Sequence, residues 1–217
     1  MSVYFSSQLK EQWAAVLIFA ALVFDFFDGL LARSLRAHSD IGKELDSLAD
    51  VVSFGVAPAF ILINLFTYHT GPGGQLPEWV KYVSFLVPVF AALRLAKFNV
   101  DKRQEEMFFG LPTPSTGIFI ASLPLVFLSE GFLKPFLANT WALLVITVFL
   151  SAMMVVEVPL FSFKAKGSTA GTKRIQLVFV LVALLLVLFF EVSAIPMIVL
   201  LYILLSVLGK KSFYTKS

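Results

Sequence analysis

Cysteine is absent from the sequence, which excludes disulfides, thiol nucleophiles and thiolate metal sites. Histidine is nearly absent too, with only His38 and His69, so little imidazole is on hand for zinc or copper. Charge is sparse: Asp, Glu, Lys and Arg together make 14% of the chain. The net charge of +3 sits in short basic segments and gives no extended surface for nucleic acid, so none is expected as a partner. No internal repeat, low-complexity tract or composition break divides the chain, and a single domain over residues 1–217 is expected. A basic leader before the first apolar run is also lacking, so no secretory signal peptide is expected.

What is abundant is hydrocarbon. Hydrophobic residues make 59% of the 217, with a mean hydropathy of +0.89, more than one water-soluble core could bury. An all-α, polytopic integral membrane helical bundle in the lipid bilayer is expected. Seven transmembrane helices are predicted, near 13–33, 42–66, 79–98, 115–128, 136–156, 175–190 and 194–208. Pro58 should kink the second, because it removes a backbone hydrogen bond. Glu191 and Pro196 divide the last apolar block into a hairpin. The loop 67–78 is rich in Gly and Pro and has no Lys or Arg, so it reads as external, with His69 a solvated loop residue. If the helices alternate, segments 33–43, 97–103 and 164–174 and the tail from 210 share one side and hold 13 of the 17 Lys and Arg residues. The positive-inside rule makes that side the cytoplasm.

Against this background, residues 25–50 stand out: DFFDGLLARSLRAHSDIGKELDSLAD. Asp25 and Asp28 are spaced i, i+3 and Asp46 and Asp50 i, i+4, so each pair shares a helix face. Gly29, Ala32 and Gly42 border the carboxylates with small side chains, leaving room for a ligand to touch backbone. Four anions beside hydrocarbon require protons or cations to offset them. With oxygen donors and only His38 nearby, the set suits Mg²⁺ or Mn²⁺, and two ions bridged by shared carboxylates fit the charge count. For any one of these acids the plainer reading is a helix cap or a pair with Arg33, Arg36 or Lys43. For all four at this spacing, a functional site is expected. Arg94, inside the third apolar run, needs an anion: one of the aspartates or the interface in the plain reading, a substrate phosphate or carboxylate in the functional one, with Lys97 as its neighbour.

The order D-x2-D-G-x2-A-R-x8-G-x3-D-x3-D, from Asp25 to Asp50, resembles the signature of the CDP-alcohol phosphatidyltransferase family at all eight motif positions. The stretches KELDSLADVVSFGVAPAF (43–60), ALRLAKFNV (92–100) and FFGLPTP (108–114) resemble its phosphatidylserine synthase branch, which reads Arg where Lys97 stands. Family members usually carry another transmembrane helix ahead of the motif, which here would lie before the sequence or be dispensed with.

The resemblance implies transfer of the phosphatidyl group from CDP-diacylglycerol to L-serine with release of CMP, and a homodimer. It assigns Asp25, Asp28, Asp46 and Asp50 to the metals, with Asp50 also the base for the acceptor hydroxyl. Asp28, Gly29, Ala32, Arg33 and Gly42 would meet the nucleotide, and Arg94 and Lys97 a phosphate or the acceptor carboxylate. The active site would face the cytoplasm from the cell membrane. The alternative within the chemistry is another acceptor, glycerol phosphate or inositol phosphate, for which more Arg and Lys would be expected. A cation- or proton-coupled transporter would place its acids near the midplane and is disfavoured.

Overall fold

The computed structural model describes residues 10–35, 39–69, 76–101, 108–129, 132–137, 139–161 and 170–209. Helix α1 (Glu11–Ser34) is followed by α2 (Asp40–Val51), a π-helical segment (Val52–Val56) and α3 (Ala57–His69). After 3₁₀ turns over Glu78–Phe85 comes α4 (Leu86–Val100), then strand β1 (Phe108–Phe109) and α5 (Thr113–Leu128). The chain closes with α6 (Lys134–Leu137), α7 (Thr140–Val155), β2 (Pro159–Leu160), α8 (Ala170–Phe190), a 3₁₀ turn (Glu191–Ser193) and α9 (Ala194–Leu208).

This is an all-α membrane bundle. Spans Glu11–Ala32, Ile41–Tyr68, Glu78–Val100 and Gly171–Leu208 are long and apolar enough to cross a bilayer, and Thr113–Leu128 and Thr140–Val155 are shorter apolar helices. The turn at Glu191, with φ of +46°, splits the longest span into α8 and α9, as the sequence predicts. Helix α5 is apolar on every side and sits at the centre, burying Phe119, Ile120, Leu123 and Val126 among α1, α3 and α9. Buried apolar side chains from Ala14 in α1 to Ile203 in α9 form one cluster. Helix α8 instead leaves Leu177, Leu181, Leu184, Leu185 and Leu188 exposed, a surface suited to lipid.

Several helix limits differ from the sequence reading, each for a local reason. The second membrane helix begins at Asp40 because Ser39 caps it, its Oγ accepting from the Gly42 N–H at 3.0 Å. The expected helix 136–156 is broken, since the Asn139 side-chain Oδ1 caps a fresh start by accepting from the Trp141 N–H at 2.9 Å. Pro58 stands just after the π-helical segment, where the Ala57 N–H reaches back to Val52. A wide turn at this point eases the ring's conflict with the preceding carbonyl, so the irregularity falls ahead of the proline. Gly55 in that turn lets α4 approach: a Cβ there would lie 3.1 Å from Pro88 Cα. Gly117 of α5 meets the same turn, its Cβ position being 2.9 Å from Phe54 Cβ.

Candidate functional site

The C-terminal half of α1 carries Asp25, Asp28, Gly29 and Ala32, and α2 carries Gly42, Asp46 and Asp50. Arg33 ends the motif on α1 but its side chain lies outside the described residues, as do Arg36 and His38. The carboxylates form two layers. Asp25 and Asp50 are half-buried and lie within reach of each other's charge, while Asp28 and Asp46 are exposed and likewise within reach of each other's charge. Asp50 also feels Asp46 on its own helix, and the countercharge that reaches it is Arg94.

The donor chemistry fits a hard divalent cation: all four groups are carboxylates, and the repulsion between the facing pairs is what a cation would relieve. Among the described residues, no three His, Asp or Glu side chains stand close enough together to ligate one ion. Coordination of one ion by three or more of these carboxylates therefore needs the α1 and α2 faces to draw closer. Beside the acids the backbone is bare, since a Cβ built on Gly29 would meet nothing within 4 Å. Gly42 lies in the first turn of α2, its N–H donated to the Ser39 cap.

Helix α4 stands behind α2 and is tied to it. The Asn99 amide donates to Glu44 Oε1 at 3.3 Å and to Ser47 Oγ at 3.0 Å, and Lys43 Nζ reaches the Asn99 carbonyl at 3.4 Å. Those bonds fix the height of Asp46 and Asp50 relative to Arg94. The Arg94 side chain is 7% exposed, donates from Nη1 to Thr113 Oγ1 at 3.2 Å and packs over the Phe98 ring. Its Nε has no partner. Lys97, one turn on, pairs with Glu157 at 4.0 Å.

Glu157 is held by an element that periodicity did not predict. Strand β1 pairs with β2, Phe109 opposite Pro159; Gly110 N–H extends the ladder to Val158 O at 3.0 Å, and Leu111 N–H donates to Met153 O in the last turn of α7 at 2.8 Å. Gly110 has φ of +76° and lies against the 154–156 backbone. The sequence reading missed Asn99, Ser47, Thr113 and Glu157 as parts of this region. Two of them carried a signal, Asn99 as a polar residue ending an apolar helix and Glu157 as a lone acid in the apolar stretch VVEVPLF.

A family model described as CDP-alcohol phosphatidyltransferase matches residues 1–153. A Bacillus subtilis protein named CDP-diacylglycerol–serine O-phosphatidyltransferase is 38% identical over 110 residues, 51% of this chain and 59% of its own length. A Helicobacter pylori protein of the same name is 34% identical over 167 residues, 76% of this chain and 67% of its own. A third, from Mycobacterium leprae, is 35% identical over 166 residues, covering 73% of this chain and 52% of its own. The matched region is thus less than two thirds of the Bacillus and Mycobacterium proteins.

Proposed function

The chain belongs to the CDP-alcohol phosphatidyltransferase family, and from that premise we propose that it transfers the phosphatidyl group of CDP-diacylglycerol to L-serine, giving phosphatidylserine and CMP. The observation that carries the reading is the two-layered carboxylate face, Asp25 with Asp50 and Asp28 with Asp46, beside the open backbone of Gly29. That face offers oxygen donors for divalent metal and space for a nucleotide to lie against a helix.

Asp25, Asp28, Asp46 and Asp50 would hold Mg²⁺ or Mn²⁺, two ions by the charge count. Bound there, the metal would neutralise the pyrophosphate and stabilise the departing CMP. The chain's own groups do the rest. Gly29 and Ala32 let the nucleotide approach α1, and Arg33 is placed in the motif to meet its phosphates. Asp50, the inner acid of α2, accepts the serine hydroxyl proton as that oxygen bonds to the lipid-bearing phosphorus and the bond to CMP breaks. Arg94, whose charge reaches Asp50, would bind an anionic group of the acceptor.

A cytoplasmic-membrane location with the acid face toward the cytoplasm is supported by the 13 of 17 Lys and Arg residues on that side. Serine made in the cytoplasm would reach the site from water, and CDP-diacylglycerol laterally from the inner leaflet. A homodimer is carried over from the family and is tested by light scattering in detergent. The function itself is tested by incubating purified protein with CDP-diacylglycerol and Mg²⁺ or Mn²⁺. CMP should be released with serine and far less with glycerol 3-phosphate, inositol phosphate or no acceptor, and EDTA should abolish it. Release that prefers a phosphorylated acceptor, or that survives EDTA, would refute the reading.

A further inference from the structure

Strands β1 and β2 pair only as Phe108 with Leu160 and Phe109 with Pro159, and so short a ladder does not hold itself together. The next residue, Phe161, is 3% exposed, so its backbone N–H and carbonyl are away from water and need partners within the protein. Both partners come from one face of α9. The Tyr202 hydroxyl donates to the Phe161 carbonyl at 3.0 Å, and the Phe161 N–H donates to Ser206 Oγ at 3.5 Å. Tyr202 and Ser206 are spaced i, i+4, and the Ser206 hydroxyl itself donates to the Tyr202 carbonyl at 2.7 Å, which leaves its lone pairs for the strand. The Phe161 ring completes the contact, edge-on to Tyr202 at 4.9 Å and to Phe179 of α8 at 5.5 Å. In a helix that is otherwise apolar, AIPMIVLLYILLSVL, the two hydroxyls are the exception, and both meet the same residue.

The segment so latched borders the candidate site. Only a cavity of about 20 Å³, room for about one water, lies between Arg94 and Lys97 on α4 and Phe109 and residues 154–157 opposite them. Glu157 pairs with Lys97 at 4.0 Å, and the Tyr202 phenol is within reach of the Arg94 charge. The hairpin that carries the latch lies beyond residues 1–153, where the family model matches, and its α8 presents the exposed leucine surface to lipid. We propose that the α8–α9 hairpin also serves the reaction, with Tyr202 a positioning residue that, together with Ser206, holds segment 157–161 against α4 and so fixes where Arg94 stands. The inference rests on the phosphatidyl-transfer reading above and adds to it a residue far outside the aspartate motif. Lipid anchoring alone requires an apolar surface, whereas hydroxyls bonded to a strand end fix a height and a direction.

The test measures CMP release while serine and CDP-diacylglycerol are varied separately, well below the Tm of every variant. Tyr202→Phe keeps the ring and removes the hydroxyl. It should raise the serine KM by about tenfold, with kcat and the KM for CDP-diacylglycerol within about twofold of wild type. Ser206→Ala should raise the serine KM by about fivefold, and the double variant should fall short of the product of the two, because both bonds end on Phe161. Thr147→Ala is the control: it removes a buried hydroxyl bonded within its own helix, to the Leu143 carbonyl at 2.8 Å, and should leave the serine KM unchanged. A folded Tyr202→Phe protein with a serine KM within about twofold of wild type overturns the inference, whatever its Tm. So does a Thr147→Ala protein with as large a rise in serine KM, since the effect would then be general loosening of the bundle. Should Tyr202→Phe fail to fold, Ser206→Ala decides by the same threshold. A wild type that releases no CMP with serine refutes the phosphatidyl-transfer reading and takes this inference with it.

Discussion

Replacing Gly110 with alanine is a small chemical change at a place where the backbone leaves no room for it. Gly110 has φ of +76°, a conformation that costs an alanine about 1–2 kcal/mol. Its new Cβ would run into the Met154 carbonyl oxygen, with Met154 C at 3.1 Å and Val156 O at 3.2 Å. Relief requires 109–111 to retreat, which endangers the bonds from Gly110 to Val158 and from Leu111 to Met153. At about 0.5–1.5 kcal/mol each, these bring the total to about 2–5 kcal/mol. In a chain of this length that corresponds to a fall in Tm of about 4–20 °C in detergent. Glu157 lies within the segment that must move. A displacement of order 1 Å there should lower kcat/KM for serine by about 10- to 100-fold. The KM for CDP-diacylglycerol should hold, because the proposed nucleotide face is on α1 and α2. Gly110→Asn separates the causes, since asparagine tolerates positive φ but still carries a Cβ. Wild-type Tm and serine kinetics in Gly110→Ala would refute the claim that the ladder holds Glu157 and its partner Lys97 in place near Arg94.

Three further outcomes are expected. Asp46→Asn should reduce CMP release by about 100-fold or more without unfolding the protein, and a wild-type rate would sink its metal role. Asn99→Ala removes the bonds to Glu44 and Ser47 and should cost about 1–2 kcal/mol of stability and lower kcat more than it raises the serine KM. An unchanged kcat would free α2 from dependence on α4. Gly117→Val pushes a side chain toward Phe54, whose Cβ is 2.9 Å from the Cβ position, and should destabilise the bundle by about 1–3 kcal/mol, read as a lower Tm. A Tm equal to wild type would mean that α5 and the π-helical turn can part without penalty.

The apolar runs were legible because a bilayer demands length and hydrocarbon, both local properties of sequence. The split at Glu191 and the helical pairing of the aspartates were read for the same reason. Ser39 and Asn139 were legible in principle, as capping side chains just before helical runs, but a continuous apolar pattern outweighed them. The wide turn at Val52–Val56 was not, because it depends on what packs there: Pro88 against Gly55, and Gly117 against Phe54. The β1–β2 ladder joins segments about fifty residues apart through backbone atoms, which leaves no periodicity to find. Asn99 was visible as a polar residue ending an apolar helix, but its partners Glu44 and Ser47 follow only from how α2 lies on α4.

The wide turn at Val52–Val56 has a consequence of phase. An α-helix advances about 100° per residue, so one residue taken up in a wide turn rotates everything before it by about 100° against everything after it. The rim of the second membrane helix, with Asp46 and Asp50, is thereby clocked separately from its root, where Ile61, Leu62, Leu65 and Phe66 are fixed by the core. Deleting one residue from the turn would leave a longer, more regular helix whose carboxylates point more than a quarter turn away from α1. Regularity would be gained and the opposition of Asp25 to Asp50 lost. The chain keeps its reacting rim and its packed root in step by carrying one surplus residue between them.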